Sequence, residues 1–533
     1  MKTDPVTMEI LRNLIVSITE EMGVVLKRAA HSPNIKERMD ASCALFDATG
    51  RLIAQADHIP VHLGSMPEAV QSILRHFSAT KFRPGDQFIL NDPYDGGTHL
   101  PDITFVKPVF WRNKLIGYAV CKAHHSDVGG MSPCSMPALS SDIHQEGLLI
   151  PPTQILKQGT LNNEIMNVLL TNTRTPQERR GDLYAQIAAN EKGAQRLVAL
   201  IEKYSLTLFH NFVDDMIHYA WQRVLASMQN LRPGDYYATE FLEFDPVSGH
   251  KIELVCHVKI MEKSVTIDFT GTSPQTAGNL NAPVAVTKSA VYYVFRCLTD
   301  PEIPPNYGSY IPIEIIIPDN SLLNPQRGCA VVAGNVETSQ RIVDLLFLAF
   351  DQAMDHQVPA QSQGTMNNLT FGGINRDGSA FTYYETIGGG EGAYPFRHGQ
   401  DGMHVHMTNT ANTPVEVIEE KYPLRVIEYS LIKNSGGTGH FRGGRGISRK
   451  IVALADQISV QIISERRTIP PKGLHGGQAG RTGKNYLIKK NQRRLLPSKA
   501  TTTLNKNEMI LIQTPGGGGY SAEDQKNKLE VTS

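Results

Sequence analysis

Residues 91–130 read NDPYDGGTHLPDITFVKPVFWRNKLIGYAVCKAHHSDVGG, and this stretch decides the fold of the N-terminal part of the chain. Residues 103–110 and 115–121 are largely apolar and are joined by a short polar connection. Two apolar runs around such a connection are typical of an antiparallel β-hairpin. The stretch therefore predicts two adjacent strands, with His99 and His124 near the open end of the hairpin.

The register of this hairpin decides whether its polar end residues meet. With a three-residue turn, Leu100 lies opposite His124, and Asp102 projects from the same face as His124 because side chains alternate along a strand. His99, Asp102 and His124 then gather at one end of the hairpin. A two-residue turn would shift the register by one residue and place Asp102 and His124 on opposite faces. The sequence alone leaves both registers open.

This end of the hairpin lies in a region rich in histidine. Seven of the 18 histidines fall in one quarter of the chain: His58, His62, His76, His99, His124, His125 and His144. Two imidazoles and a carboxylate at one strand end are typical of a site for a divalent cation such as Zn²⁺ or Mn²⁺. Any one of these histidines taken alone is better interpreted as an ordinary hydrogen-bonded residue. Their clustering favours the metal site.

Further residues extend this predicted site. Asp40 could add a second carboxylate, and Asp127 and His144 are additional candidates. His125 is adjacent to His124 and must point the other way on a strand, so we expect it to support a ligand rather than to bind the metal. Iron oxygenases also use two histidines and one carboxylate, but usually with HxD spacing, whereas the histidine and aspartate here are three apart. A hydrolytic metal site is therefore favoured.

The rest of the chain indicates a mixed α/β (α+β) protein of several domains. Asp4 and Pro5 can begin an amphipathic helix, and residues 47–50 form a hairpin signal. Helical spacing returns at residues 183–230, and beyond about residue 365 the sequence is rich in glycine and short strands. We predict three units: an N-terminal α+β unit with the metal-site hairpin and a helical segment (1–231), a central α/β unit (232–365) and a Gly-rich, β-dominated unit (366–533).

Composition excludes several classes of function. The 533 residues include 52 Lys+Arg and 52 Asp+Glu, so no net charge attracts nucleic acid or an anionic membrane surface. The longest compact apolar run, residues 345–350, is far shorter than the roughly 20 residues of a membrane-spanning helix. Acidic residues interrupt the N-terminus where a signal peptide would be apolar, and the six cysteines form no CxxC pair. We expect a cytoplasmic protein without nucleic-acid or membrane partners.

The phosphate-binding motif of common ATPases is missing from the sequence. GxxxxGK[ST] is absent, as is the GxSxG nucleophile elbow. No clear helix start follows glycine-rich stretches such as residues 388–390, so we interpret them as turns or as loops that cover a substrate. The stretch at residues 435–446 carries Arg442 and Arg445 and could form an anion-binding backbone nest, or its arginines could be solvated.

Nine segments, spread almost from one end of the chain to the other, carry a family pattern. They include ERMDASCALFD (37–47), HIPVHLGSM (58–66), NDPYDGGTHLPDI (91–103), HHSDVGG (124–130), AGNVETSQRIVD (333–344), SGGTGHFRGGRG (435–446) and TPGGGGY (514–520). In these segments the chain resembles the hydantoinase B/oxoprolinase family, the B or beta subunits of ATP-dependent hydantoinases, 5-oxoprolinases and lactamases. The resemblance implies a large mixed α/β subunit with a divalent metal. By position it implies the metal ligands Asp40, His99, Asp102 and His124.

The resemblance also implies a partner and a reaction. The partner is a hydantoinase A-type subunit that resembles the sugar-kinase/actin ATPases, in a heterotetramer or larger heteromer. The partner would phosphorylate the carbonyl oxygen of a cyclic amide, and the metal of this chain would deliver water to the activated carbon. Asp127 or His125 could accept the proton. The residues that we expect to contact the substrate are Tyr94, Gly389, Gly390 and Arg442.

Two other functions stay open at this point. The same family architecture includes subunits of acetone and acetophenone carboxylases, in which the chain would help to join CO2 to a phosphorylated enol. Acetone-type subunits are typically much longer than this chain, so we rank the carboxylase interpretation second. The chain could also be a non-catalytic scaffold for the ATPase partner, and alanine at His124 would then leave the activity of the complex unchanged.

Overall fold

The computed structural model describes residues 3–56, 59–490 and 492–522 and has the mixed α/β architecture that the sequence predicts. The α-helices are α1 (Pro5–Ala29), α2 (Pro33–Lys36), α3 (Pro60–Leu63), α4 (Met66–His76), α5 (Asn163–Thr171), α6 (Pro176–Tyr204), α7 (Leu206–Met228), α8 (Val284–Leu298), α9 (Ser339–Asp351) and α10 (Val415–Lys421). His58, one of the seven histidines noted above, lies outside the described residues.

The β-strands fall into four sheets. In chain order they are β1 (Ala41–Asp47), β2 (Leu52–Gln55), β3 (Gln87–Leu90), β4 (Asp102–Trp111), β5 (Lys114–His124), β6 (Thr153–Lys157), β7 (Thr160–Leu161), β8 (Gly234–Leu242), β9 (Ile252–Met261), β10 (Ser264–Asp268), β11 (Ile313–Ile316), β12 (Asn368–Ile374), β13 (Ala380–Glu385), β14 (Leu424–Leu431), β15 (Ile447–Ala453), β16 (Ile458–Ile463), β17 (Lys484–Lys489), β18 (Gln492–Leu496), β19 (Lys499–Leu504) and β20 (Met509–Gln513).

The N-terminal sheet is antiparallel and has the order β2-β1-β5-β4-β3-β6-β7. Alternate residues of β5 enter two different cores: Ala119 and Cys121 pack with α1, α6 and α7, whereas Tyr118 and Val120 pack with α4. Both faces of the central strands are therefore buried, which explains why β4 and β5 read as nearly continuous apolar runs. As predicted, α1 begins at Pro5, capped by Asp4, which accepts a hydrogen bond from the Thr7 backbone N–H.

The turn between β4 and β5 is the shorter of the two alternatives that the sequence leaves open. It has two residues, Arg112 and Asn113, with the left-handed φ angles of 47° and 64° that a tight hairpin turn requires. A β-bulge near the turn adds one residue to β5 and compensates for the shorter turn. Asp102, rather than the predicted Leu100, therefore lies opposite His124. The structure thus has the two-residue alternative, but the bulge keeps Asp102 and His124 on the same face, as the three-residue alternative would have done.

The central sheet has the order β11-β10-β9-β8 and packs against α8 and α9. A single turn of π-helix, Gly334–Thr338, leads directly into α9. The core around these helices joins residues from all three predicted units, such as Val61, Val291 and Tyr384. The unit boundaries near residues 232 and 365 stay a prediction.

The C-terminal part contains two further antiparallel sheets, β13-β12-β16-β19 and β14-β15-β20-β17-β18, which share one core. Its content of short strands confirms the predicted β-rich character of this part. In the described ranges, no helix combines the length and the apolarity that a bilayer crossing requires.

The glycine-rich stretches pack against one another in what we call the glycine bundle, residues 388–392, 435–446, 473–480 and 516–519. Backbone hydrogen bonds join them, for example from Gly444 N–H to the Glu391 carbonyl at 2.8 Å and from Gly517 N–H to the Gly444 carbonyl at 3.0 Å. A Cβ atom on Gly444 or Gly517 would come within 3.0 Å of neighbouring backbone atoms. Gly444 and Gly517 are buried, so the stretches pack against one another at these positions, and their predicted role in covering a substrate stays a prediction.

Candidate metal centre at the end of the hairpin

Three side chains converge where the hairpin opens. Asp102 begins β4, His124 ends β5 opposite it, and His99 lies in the loop that leads into β4. His99 Nε2 is 3.0 Å from Asp102 Oδ1, His124 Nδ1 is 3.2 Å from the same oxygen, and the two ring nitrogens are 3.1 Å apart. All three residues are buried. His144, a further candidate from the sequence, is exposed and lies outside this group.

The electrostatics of this cluster favour an ionised Asp102 and a neutral His124. Burial alone would raise the pKa of Asp102, but the charges of His99 and His62 and hydrogen bonds from His124 and His62 hold that pKa well below its usual value. Burial lowers the pKa of His124, which favours its neutral imidazole. A carboxylate anion and a neutral imidazole are the forms in which these side chains coordinate a cation.

The donor set and its spacing fit a divalent cation. Ligand atoms bound at about 2.1 Å around one cation lie about 3.0–3.4 Å apart, and the three separations here are 3.0, 3.1 and 3.2 Å. Asp102 Oδ1 is buried, and apart from the two imidazoles no described residue donates a hydrogen bond to it. The second oxygen, Oδ2, accepts a hydrogen bond from Thr98 Oγ1 at 2.6 Å. Oδ1 is therefore available, beside two ring nitrogens, as a metal ligand.

His62, which the sequence analysis did not include among the ligands, lies beside this cluster. Its Nε2 is 3.4 Å from Asp102 Oδ2 and 4.0 Å from Asp40 Oδ1, and its Nδ1 is 3.2 Å from the hydroxyl of Ser42. Asp40 is buried as well, and its carbonyl oxygen accepts a hydrogen bond from the His124 backbone N–H at 3.0 Å. The Asp40 carboxylate flanks the cluster without joining the three ligand atoms that lie closest together.

Residues from the C-terminal part close the other side of the site. The ring of Tyr384, on β13, stacks on the His124 imidazole with centroids 4.6 Å apart and planes at 15°. The guanidinium of Arg38, which is buried, lies 4.7 Å from the centroid of the same tyrosine ring. The Tyr384 hydroxyl donates to Asn368 Oδ1 at 2.9 Å. The cluster therefore lies between the first and the last of the three predicted units.

The two residues predicted as proton acceptors have partners elsewhere. His125 Nε2 is 2.8 Å from Gln186 Oε1 on α6, and burial together with the charge of Arg179 lowers the pKa of His125 to about 4. Asp127 accepts hydrogen bonds from Arg174, at 2.9 Å from its side chain and 2.7 Å from its backbone N–H. Because each group is held by the α6 region, the geometry favours structural roles over the predicted catalytic roles.

The residues predicted to contact the substrate are also held by other parts of the protein. The Tyr94 hydroxyl donates to a backbone carbonyl of the loop before α9. Gly389 and Gly390 are buried in the glycine bundle, and Arg442 forms an ion pair of 3.0 Å with Asp401. Contact of these four residues with a substrate stays a prediction.

Comparison with known proteins identifies matches over nearly the whole chain. The model of the hydantoinase B/oxoprolinase family matches residues 4–523. The 5-oxoprolinase 1 of Arabidopsis thaliana is 41% identical over an alignment that covers 97% of this chain and 42% of the plant protein. The chain thus spans about two fifths of the length of this curated relative.

Two solved structures share the fold. The ATP-dependent caprolactamase from Pseudomonas jessenii superimposes with a TM-score of 0.90 at 26% identity, covering 100% of this chain and 93% of that chain. An acetone carboxylase in its nucleotide-free form superimposes with a TM-score of 0.91 at 18% identity, covering 98% of this chain and 76% of that chain. At that lower identity the likeness concerns the fold alone.

Proposed function

The chain belongs to the hydantoinase B/oxoprolinase family, and from this premise we propose that it is the metal-binding subunit of an ATP-dependent enzyme that opens a cyclic amide. The observation that carries the proposal is the buried cluster of His99, Asp102 and His124, with its ligand atoms 3.0 to 3.2 Å apart. Two similar proteins are named for 5-oxoproline and caprolactam, which are both cyclic amides. The substrate class is therefore a hydantoin, 5-oxoproline or a lactam.

In this proposal, a separate A-type ATPase subunit uses the ATP and forms a heteromer with this chain. The sequence lacks GxxxxGK[ST], and its alignment covers 42% of the Arabidopsis 5-oxoprolinase. The partner transfers the terminal phosphate of ATP to the carbonyl oxygen of the amide and releases ADP. The resulting imidate phosphate has a more electrophilic ring carbon, because the phosphate withdraws electrons. Water adds to this carbon, and expulsion of the ring nitrogen breaks the C–N bond and leaves an acyl phosphate. A second water then releases inorganic phosphate and the free carboxylate. The proposed location of the enzyme is the cytoplasm, because the reaction consumes ATP.

This chain's own residues hold and orient the metal site. His99, Asp102 and His124 would hold a divalent cation, which when bound supplies Lewis acidity that polarises oxygen and lowers the pKa of water. Thr98 and His62 both contact Asp102 Oδ2, at 2.6 and 3.4 Å. These contacts stop the carboxylate from rotating, so that Oδ1 stays directed at the two imidazoles.

Tyr384 and Arg38 shield the site from bulk water. The stacked tyrosine ring covers one face of the His124 imidazole, and the buried guanidinium of Arg38 covers the tyrosine in turn. A phosphorylated amide is reactive, so exclusion of bulk water limits its loss before the controlled attack. The same stack fixes the ring orientation of His124.

His62 and Asp40 replace His125 and Asp127 as the proton carriers in this proposal. The His62 imidazole lies between two carboxylates, 3.4 Å from Asp102 and 4.0 Å from Asp40. Ser42, 3.2 Å from Nδ1, can fix the tautomer so that Nε2 faces the site. A proton released by the attacking water can move to His62 or Asp40 and then to the ring nitrogen as the amide opens.

A cavity next to Asp40 offers space for the substrate. Met39, Ala41 and Ser42 line this cavity of about 340 Å³, which is bounded on the other side by α1. Its volume lies in the range of small-molecule pockets. Ser42 also lies 3.2 Å from His62 Nδ1, so this residue adjoins both the cavity and the proposed proton carrier.

The test is reconstitution with an A-type ATPase subunit. The complex is incubated with ATP and hydantoin, 5-oxoproline or caprolactam, and ring-opened product and ADP are measured. We expect both products together from the complex, and neither from this chain alone. Labelled bicarbonate with acetone or acetophenone is run in parallel. Label in a β-keto acid would support the ketone carboxylase instead, and robust ring opening without ATP or partner would contradict the proposal.

A further inference from the structure

A second group of two histidines and one aspartate lies far along the chain from the hairpin. Asp351 is the last residue of α9, His356 follows in the next loop, and His475 lies in the glycine bundle. His475 Nε2 is 3.0 Å from Asp351 Oδ2, and His356 Nδ1 is 3.5 Å from the same oxygen. The ligand atoms of all three side chains lie within 4.8 Å of one another.

The backbone around this group holds the two imidazoles together. His356 and His475 both adopt left-handed φ angles, of 67° and 51°, a region that histidine, asparagine and aspartate enter more often than other residues with a Cβ atom. Their ring centroids are 3.8 Å apart, with planes tilted by 53°. The Tyr520 hydroxyl donates a hydrogen bond to the His356 carbonyl, and the Tyr520 ring packs 5.1 Å from His475. The chain thus fixes both rings beside one carboxylate.

We propose that Asp351, His356 and His475 form a second binding site for a divalent cation of the Zn²⁺ class. Two imidazole nitrogens and one carboxylate oxygen are a borderline donor set that suits Zn²⁺, Co²⁺ or Ni²⁺ better than Mg²⁺ or Ca²⁺, which prefer oxygen ligands. The Asp351 and His475 side chains are 11% and 23% exposed, whereas that of His356 is 65% exposed. The site is therefore open to solvent, and water completes the coordination.

A cation at this site would connect separate parts of the chain. Asp351 ends a helix of the central core, and His475 belongs to the glycine bundle, where the Leu474 N–H bonds to the Gly519 carbonyl at 3.0 Å. Bridging the two would hold the bundle against α9. The site is thus structural, and it is independent of the proposed ring-opening function because the hairpin cluster uses none of these residues.

The chain also contains a matched control for this site. His257 Nε2 is 2.7 Å from Asp235 Oδ1, and the His257 ring stacks on Tyr237 at 4.3 Å. This pair shares a partly exposed histidine, a carboxylate and an aromatic neighbour with the proposed site. It lacks the second imidazole, so it should not retain a cation.

The experiment is a Zn²⁺ titration of the chelator-treated full-length chain, with bound metal counted per chain after gel filtration. The variants are H356Q/H475Q for the second site, H99A/H124A for the hairpin cluster and H257Q as the control. We expect two equivalents in the wild-type chain and in H257Q. H356Q/H475Q should retain the hairpin equivalent, and H99A/H124A should retain the second. Zn²⁺ should raise the thermal midpoint of H99A/H124A but not that of the variant lacking all four histidines.

The outcomes separate this proposal from the proposed function. If H356Q/H475Q binds as much Zn²⁺ as the wild-type chain, the second site is wrong whatever the hairpin does. If H99A/H124A binds as much Zn²⁺ as the wild-type chain and H356Q/H475Q binds less, the hairpin site is wrong and the second site is supported. Because a double variant could fold poorly, H356Q alone is measured too: His356 is exposed, so this variant keeps the fold and should still lose one equivalent.

Discussion

The hairpin end and the glycine bundle are both densely packed, but different atoms converge in each. At the hairpin end, side chains meet: His99 Nε2 and Asp102 Oδ1 are 3.0 Å apart at the end of the N-terminal sheet. In the bundle, backbones meet, because glycine leaves room for the hydrogen bond from Gly517 N–H to the Gly444 carbonyl at 3.0 Å. The hairpin can therefore lose a side chain and keep its fold, whereas the buried glycines of the bundle, such as Gly444 and Gly517, have no room for a side chain.

The largest effect expected from this comparison is loss of folding in Gly517→Ala. The new Cβ would come within 3.0 Å of the backbone of Glu391, which cannot move without breaking neighbouring hydrogen bonds. We expect a loss of more than about 4 kcal/mol in the free energy of unfolding, or no soluble protein. Denaturant unfolding measures this loss.

Gly378→Ala is the control for that substitution. A Cβ on Gly378 meets no atom within 4 Å, and its cost is the left-handed φ of 86°. We expect a loss of about 1 kcal/mol. Equal stability of the two variants would contradict the account of the bundle as packed backbone.

The second effect is loss of metal in His99→Ala. Removing one of three ligands leaves a buried carboxylate and a single imidazole, which cannot hold a divalent cation tightly. We expect one equivalent of metal to be lost per chain in elemental analysis, with an unchanged circular dichroism spectrum. His144→Ala, at an exposed histidine outside the cluster, is the control. Full metal retention by His99→Ala would remove this residue from the ligand set.

The sequence was sufficient for the elements that periodicity controls. The apolar runs of β4 and β5, the cap of α1 at Asp4 and the helical residues 183–230 follow from local patterns, and the structure has strands or helices at all three places. The spacing could predict only whether Asp102 and His124 share a face of the hairpin, and not which residue lies opposite His124. The two-residue turn and the compensating bulge change the turn and the register together, and no local pattern specifies the bulge.

Local sequence patterns could not predict the contacts between distant segments. His62 reaches Asp102 from the short helix α3, forty residues earlier, and Tyr384 reaches His124 from β13. Neither spacing nor periodicity connects these positions, because tertiary packing alone brings them together. For the same reason, the sequence predicts loops at the glycine stretches, although their backbones form hydrogen bonds with one another.

The third effect concerns the orientation of Asp102, and His62→Gln tests it. The His62 imidazole contacts Asp102 Oδ2 at 3.4 Å without belonging to the closest ligand atoms. We expect metal affinity to fall by about 10–100-fold, the usual effect of losing a group that orients a ligand. Competition with a chelator of known affinity measures this change. An affinity equal to that of the wild-type chain would show that Thr98 alone orients the carboxylate.

The smallest effect is expected for Tyr384→Phe. The substitution keeps the ring that stacks on His124 and removes the hydrogen bond to Asn368. We expect a loss of about 1 kcal/mol in the free energy of unfolding, with metal content unchanged. Tyr384→Ala, which also removes the stack, should be clearly less stable and bind metal more weakly. If both variants behave alike, the stack does not support the site.

The most direct test of the central claim is the yield of ring-opened product from the complex of this chain with its ATPase partner, compared between the wild-type chain and His124→Ala. His124 supplies one of the three converging ligand atoms and lies 3.2 Å from Asp102 Oδ1. The account predicts that His124→Ala lowers product formation by about 100-fold or more, while any remaining ATP hydrolysis by the partner becomes uncoupled from ring opening. Product formation by His124→Ala at the wild-type rate would contradict it.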